Sequence, residues 1–243
     1  MSEKKEKKVE TKKVDTKKEE IKNETVETAK EVKNETVETA KKVKETVKNV
    51  NIKDETLKTK GFIGEMFKDP IKKVKEIAKD DSKYFKTALF ILIVWTIAVF
   101  IKSSYSTIYY WGFARIFTRI LEVLKDILAP VVGVIVYSVI IFVMNKENKK
   151  SLTNIISTVT TTQIPLALAS VISLLTLFSR EFAKITGAIN GLCSVIAIVL
   201  AYFGYKALFN EKDDGKFIKT FAIIQAIYYL VYIVLTFLGI YIY

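Results

Sequence analysis

Five runs without a charged residue, 87–101, 127–145, 151–179, 185–205 and 220–243, alternate with short charged segments along the C-terminal two thirds of the chain. A helix needs about 20 apolar residues to cross a hydrocarbon core of about 30 Å, so each run predicts one crossing. The first run holds only 15 residues. Tyr84 and Phe85 at one interface, with the snorkelling amines of Lys86 and Lys102, extend it to span length. The expected spans are about 84–105, 127–145, 160–179, 185–208 and 218–243, an all-α polytopic bundle filling residues 87–243.

Between the first two runs the periodicity changes. Phe113, Ile116, Phe117, Ile120, Leu121, Leu124, Ile127 and Leu128 recur at helical spacing, with Arg115, Arg119, Glu122, Lys125 and Asp126 opposite them. That amphipathic pattern predicts an interfacial helix over 111–127 rather than a sixth span. Pro130 then suits the first turn of the next crossing, where its missing N–H costs nothing. The third run is the most polar, with Thr158 and Thr160 to Thr162 leading into Gln163, Ile164 and Pro165. Pro165 should kink or start a helix there, and the nearby hydroxyls can take up freed backbone groups. In the fourth span Gly187, Gly191, Ser194 and Ala201 lie close to one line, a stripe that predicts the helix-packing face. Tyr241 and Tyr243 close the fifth span as part of an aromatic belt.

The head has a different character. Residues 1–83 hold 24 Lys and 19 Asp/Glu, leaving 14 Lys/Arg and 7 acids for the rest of the chain. Within a 1–60 tail, residues 22–32 (KNETVETAKEV) and 33–43 (KNETVETAKKV) repeat an 11-residue unit. Eleven residues in three turns keep equivalent positions on one helical face, here Val26, Ala29, Val32, Val37, Ala40, Val43, Val47 and Val50. So little apolar surface cannot offset the entropy of ordering, which predicts a tail disordered in isolation and conditionally helical on a membrane or a partner. The repeat resembles the 11-residue repeats of late-embryogenesis-abundant proteins and synucleins in composition. Residues 61–86 read as a basic amphipathic helix on the membrane surface, Ile71, Val74, Ile77 and Ala78 recurring among lysines after Asp69-Pro70.

Charge also orients the chain. With the N-terminus in the cytoplasm, 14 Lys/Arg flank the spans on the inner side and six on the outer side, which favours a cytoplasmic N-terminus and an extracytoplasmic C-terminus. Glu nearly balances Lys in the tail and no aromatic residue precedes Phe62, so nucleic acid is not an expected partner. The chain has no histidine and one cysteine, Cys193, which removes the usual metal ligand and any disulfide. No acid lies inside a span, and no nucleophile elbow, phosphate loop or HExxH is present. An enzyme is not expected, and no catalytic residue, cofactor or metal is assigned. The neutral polar positions in the spans are Gln163, Asn190 and Gln225, with Pro165 at the break; interhelical hydrogen bonds account for them more simply than a ligand. Cys193 reads as packing.

The order of features resembles the Yip1-type five-span membrane family, notably its bacterial members. The likeness rests on the Pro-containing amphipathic segment Phe67 to Ala78, the polar loop Lys149 to Pro165 feeding the third span, and a fourth span closing on Gly204-Tyr205-Lys206-Ala207-Leu208. The Asp-Leu-x-Gly-Pro element of eukaryotic members is missing where Asp69-Pro70 stands, so the resemblance implies a fold and a membrane without their small-GTPase binding. The expected role is a non-enzymatic scaffold or adaptor in the bilayer. Its tail and residues 62–86 are expected to meet anionic lipid, and the tail an unidentified membrane or cytoplasmic protein; the chain is also a candidate homo-oligomer. The alternative is a small transporter or channel component with its polar site near Thr160–Pro165. Ile-, Lys- and Asn-rich composition points to an AT-rich bacterium and so to the cell membrane.

Overall fold

The computed structural model describes residues 3–49, 51–80, 83–112, 115–179 and 181–237. Every regular element among them is a helix: α1 Glu3–Lys48, α2 Ile52–Lys68, α3 Pro70–Lys79, α4 Phe85–Trp111, α5 Arg115–Met144, α6 Leu152–Thr162, α7 Ile164–Ile172, α8 Phe182–Leu208 and α9 Asp214–Phe237. Helices α4, α5, α8 and α9 are each long and apolar enough to cross a membrane. The α6–α7 pair, continued by a 3₁₀ turn to Leu177, is together long and apolar enough for a fifth crossing but is bent by 46°, as a broken span or a re-entrant loop is. The chain is a multi-pass membrane protein. Tyr241 and Tyr243 lie outside the described residues.

Local chemistry sets the boundaries. Asn51 caps α2, its side chain accepting from Lys53 N at 3.2 Å. Asp69 caps α3 by accepting from Lys72 N at 3.0 Å, with Pro70 in the first turn. The Asp69-Pro70 pair is thus a helix start. Ser151 caps α6 by accepting from Asn154 N at 3.3 Å, so the helix of the third apolar run begins at Leu152 rather than near 160. Gly112, at φ 79°, ends α4 in a conformation other residues avoid.

Two expectations are corrected by packing. No boundary separates an interfacial helix from the second span, because α5 runs unbroken from Arg115 to Met144 with Pro130 inside it. Val123, Ala129, Val134 and Ile141 are all buried, so one inward face passes straight through the proline. Helix α3, likewise, does not lay its apolar side on headgroups. Val74, Ile77 and Ala78 are each 0 % exposed, covered by α6 and α8. Its exposed positions are all charged: Lys72, Lys75, Glu76 and Lys79.

The tail takes the helical form of its two expected states. α1 touches α5 and α6: the Lys146 ammonium donates to the Thr28 hydroxyl, and Leu152 N donates to Glu35 Oε2 at 3.5 Å. Thr39 and Thr46 are buried on this side of the helix. The stripe turned inward is therefore Thr28, Val32, Glu35, Thr39, Val43 and Thr46. Val26, Val37 and Val47, from the repeat's apolar face, are about half exposed on the outside.

Candidate functional site at the broken span

Helix α6 is the most polar of the buried helices. Asn154, Ser157, Thr158, Thr160, Thr161 and Thr162 are at most 2 % exposed. Their burial is tolerable because most hydroxyls donate to carbonyls about one turn back. Ser157 reaches Thr153 O at 2.7 Å, Thr158 reaches Asn154 O at 3.0 Å, Thr161 reaches Ser157 O at 2.7 Å and Thr162 reaches Val159 O at 2.7 Å. The helix then meets Pro165, which has no N–H to donate. Gln163 N turns to Val159 O and Thr160 O at 3.2 and 3.1 Å, and Ala167 N restarts the ladder on Gln163 O at 3.1 Å. The bend thus leaves its backbone groups satisfied. On the next helix, Trp95 Nε1 donates to Ser170 Oγ at 2.9 Å and ties α7 to α4.

Asn154 fastens the site to α3. Its Nδ2 donates to Ile77 O at 2.9 Å and to Asp80 O at 2.5 Å, capping the C-terminus of α3 from outside. Asn145 does the same for α8, donating to Leu208 O at 3.1 Å, while Asn148 donates to Phe209 O at 3.1 Å. Sequence reading missed all three asparagines. For Asn154 the available signal was negative, since neither glycine nor asparagine follows α3 to absorb its last carbonyls; α8 closes on Asn210 at φ 51°, and Asn145 and Asn148 reach carbonyls beside that cap without a sequence signal.

Of the polar positions marked from sequence, Gln163 and Gln225 meet one aromatic track, Pro165 is buried at the bend that follows Gln163, and Asn190 lies elsewhere. Tyr137 OH donates to Gln225 Oε1 at 2.9 Å, and its ring stacks on Tyr228 at 3.7 Å and stands 6.1 Å from Tyr205. Tyr205 is fully buried with Thr162 and Gln163 as its polar neighbours, yet its hydroxyl closes no hydrogen bond. Thr160 Oγ1, Ser138 Oγ and Asn154 Oδ1 are also buried without a partner. Asn190 lines a separate cavity at the opposite end of the bundle. Its carbonyl accepts from Ser194 Oγ at 2.8 Å.

The small stripe of α8 divides along its length. Ala201 is 3 % exposed, but nothing lies within 4 Å of a β-carbon placed on Gly187 or Gly191, and Ser194 is only partly covered. The close approach falls one turn beyond Ala201, at Gly204, where a β-carbon would stand 2.6 Å from Val74 Cγ1 and 3.1 Å from the methyls of Thr158 and Thr162. Within this chain, Gly204 is where α3, α6 and α8 converge. Cys193 is partly exposed on the same helix.

One charged group enters the core beside the site. Lys73 is 8 % exposed. Its ammonium lies 2.6 Å from Glu65 Oε2 and 3.2 Å from both Glu76 Oε2 and Tyr84 OH, with the Tyr84 ring centroid at 4.7 Å. Burial alone would lower its pKa, but the bonds it donates to Glu65, Tyr84 and Glu76 outweigh that and hold it above the ordinary lysine value. The cluster pins α2, α3 and the start of α4 together.

A Yip1 domain family model matches residues 64–239. The match takes in the end of α2, the docked α3 and all the crossings, and leaves out α1. No curated protein and no solved structure matches the chain.

Proposed function

The chain belongs to the Yip1 domain family, and on that premise we propose that it is a non-enzymatic membrane scaffold whose tail helix is its working surface. The observation that carries this reading is the two-sidedness of α1. Its Thr28–Val32–Glu35–Thr39–Val43–Thr46 stripe is spent on the bundle, while Val26, Val37 and Val47 stay outside with lysines beside them. The repeat thus divides its valines, Val32 and Val43 partly covered on the bundle side and Val26, Val37 and Val47 in the open. An outward apolar stripe among lysines suits an anionic lipid surface. The count of 14 basic residues against six supports a cytoplasmic tail, an extracytoplasmic C-terminus and residence in the cell membrane.

The test uses full-length protein in nanodiscs, with Cys193 replaced and a spin label at Val37→Cys. On discs rich in anionic lipid the label should become less accessible to water-soluble relaxants and more accessible to oxygen. Equal accessibility on anionic and zwitterionic discs would remove lipid as the partner of this face.

The transporter alternative draws on the bend at Gln163 and the unpartnered hydroxyls of Thr160 and Tyr205. Against it, Ile155 and Val159 are fully buried among these groups, and no ionisable side chain within α6 or α7 could carry a proton or bind an ion. The scaffold reading is preferred.

A further inference from the structure

At the end of the bundle away from α3, a cavity of about 410 Å³ opens between α4, α8 and the 3₁₀ turn after α7. Its volume falls within the range of small-molecule sites. Lys102 enters it roughly 25 Å along α4 from Phe85, at 1.5 Å per residue, which sets the ammonium near the far face of a core about 30 Å thick. Among the described residues, Lys102 is the one cation on the wall, no carboxylate lines it, and no ion pair engages Lys102. Asp126, across from this turn of α4, is taken by the Ser103 hydroxyl at 2.6 Å.

The opposite wall has the complementary chemistry. Ser173 and Thr186 are each 6 % exposed. Ser173 Oγ already donates to Ser170 O at 2.6 Å, Thr176 Oγ1 to Ser173 O at 2.7 Å and Thr186 Oγ1 to Ala183 O at 3.2 Å. With their protons directed to the backbone, these hydroxyls offer lone pairs to the cavity. The site thus sets one positive charge against a row of acceptors, at headgroup depth. Phe178, 84 % exposed, adds an apolar surface beside it.

We propose that this cavity holds the headgroup of a phospholipid, its phosphate on Lys102 and a hydrogen-bond donor on the headgroup, an amine or a hydroxyl, against the Ser173–Thr176–Thr186 wall. A phosphate needs a cation or N–H donors, which Lys102 supplies. The acceptor wall adds the selectivity: ethanolamine and glycerol headgroups have protons to donate, and trimethylated choline has none. The assignment is independent of the tail's role.

The full-length protein is delipidated in detergent and titrated with phosphatidylethanolamine, phosphatidylglycerol, phosphatidylcholine or inorganic phosphate. Bound lipid is counted by native mass spectrometry and stability is followed by thermal melts. Wild type should retain phosphatidylethanolamine and phosphatidylglycerol at least ten-fold better than phosphatidylcholine. Lys102→Met should lose that retention at least ten-fold, and Lys102→Arg should keep it. Thr186→Val should narrow the gap between ethanolamine and choline headgroups while leaving the phosphate contact. Unchanged retention in Lys102→Met, or equal retention of choline lipid by wild type, overturns the assignment. So does saturation by millimolar inorganic phosphate with no lipid retained, which would make the ligand a free anion.

Discussion

Gly204 sits so close to Val74 that a β-carbon on it would stand 2.6 Å from Cγ1 of the valine. Valine is stiff about χ1 and cannot swing the methyl away inside a packed core. The Thr158 and Thr162 methyls at 3.1 Å close the other sides. Gly204→Ala should therefore force α3 outward and destabilise the bundle by about 1–3 kcal/mol, the usual cost of overpacking. Gly191→Ala, with nothing within 4 Å of the new carbon, should melt like wild type. Thermal unfolding in detergent decides it. A wild-type melt for Gly204→Ala would mean α3 is not held against α8, and a destabilised Gly191→Ala would place a second copy against the outer stripe.

Asn154 is the second point of attachment. Replacing it with leucine removes both donors from the carbonyls of Ile77 and Asp80. Leaving buried acceptors without partners costs about 1–3 kcal/mol each. Amide exchange over residues 70–80 should speed up in Asn154→Leu while exchange in α4 and α9 stays slow. A uniform acceleration through all helices would show that the asparagine supports the whole bundle and not the α3 dock.

These two residues mark where the sequence stops being legible. Apolar runs locate crossings because a bilayer demands length and hydrophobicity from each one, and the Gln163–Pro165 break follows from the missing proline donor. An amphipathic stripe, in contrast, says only that a helix has an apolar side. Whether lipid or protein covers it is a tertiary fact, which is why α3 was expected on the headgroups and is found under α6 and α8. The small stripe shows the same ambiguity, since Gly187 and Gly191 permit close approach without requiring it. In the sequence Pro130 reads as a start signal, yet an inward face that continues from Val123 to Ile141 keeps the helix whole around it.

The Lys73 cluster predicts a pH window. The bond from Lys73 and its charge hold the Glu65 carboxyl below the usual carboxylate range. Its contribution is present above the unfolded pKa of about 4.3 and is lost as pH falls through the depressed value. Lys73 is raised, so its contribution is complete below the unfolded pKa of about 10.4 and is lost only as pH climbs through the higher folded value. The α2–α3 joint should accordingly be equally stable from about pH 5 to about pH 10. Lys73→Met should flatten the acid limb, because Glu65 then has no buried partner to lose. Melting followed across pH in wild type and mutant checks this; an identical acid limb in Lys73→Met would show that Glu65 is not coupled to Lys73.

The tail gives the last prediction, and it turns on which side of one helix is used. An isolated helix of residues 22–50 has only Val and Ala on its best face, and helices of this kind are marginal in water without tertiary contacts. As a peptide it should be mostly coil. In the full chain, the Thr28 and Glu35 bonds to Lys146 and Leu152 and the buried Thr39 and Thr46 supply the missing contacts. A charge placed at Thr39 or Thr46 must be desolvated to keep them, whereas one placed at Val37, half exposed, need not be. Thr39→Lys with Thr46→Lys should release the helix, and amide protection over 25–48 should fall toward that of the peptide. Val37→Lys should leave protection intact in detergent while weakening any effect of anionic lipid on that face. If Val37→Lys instead strips protection and the double threonine mutant does not, the side bearing Val37 is the docked one and the outward-facing surface on which the scaffold reading depends does not exist.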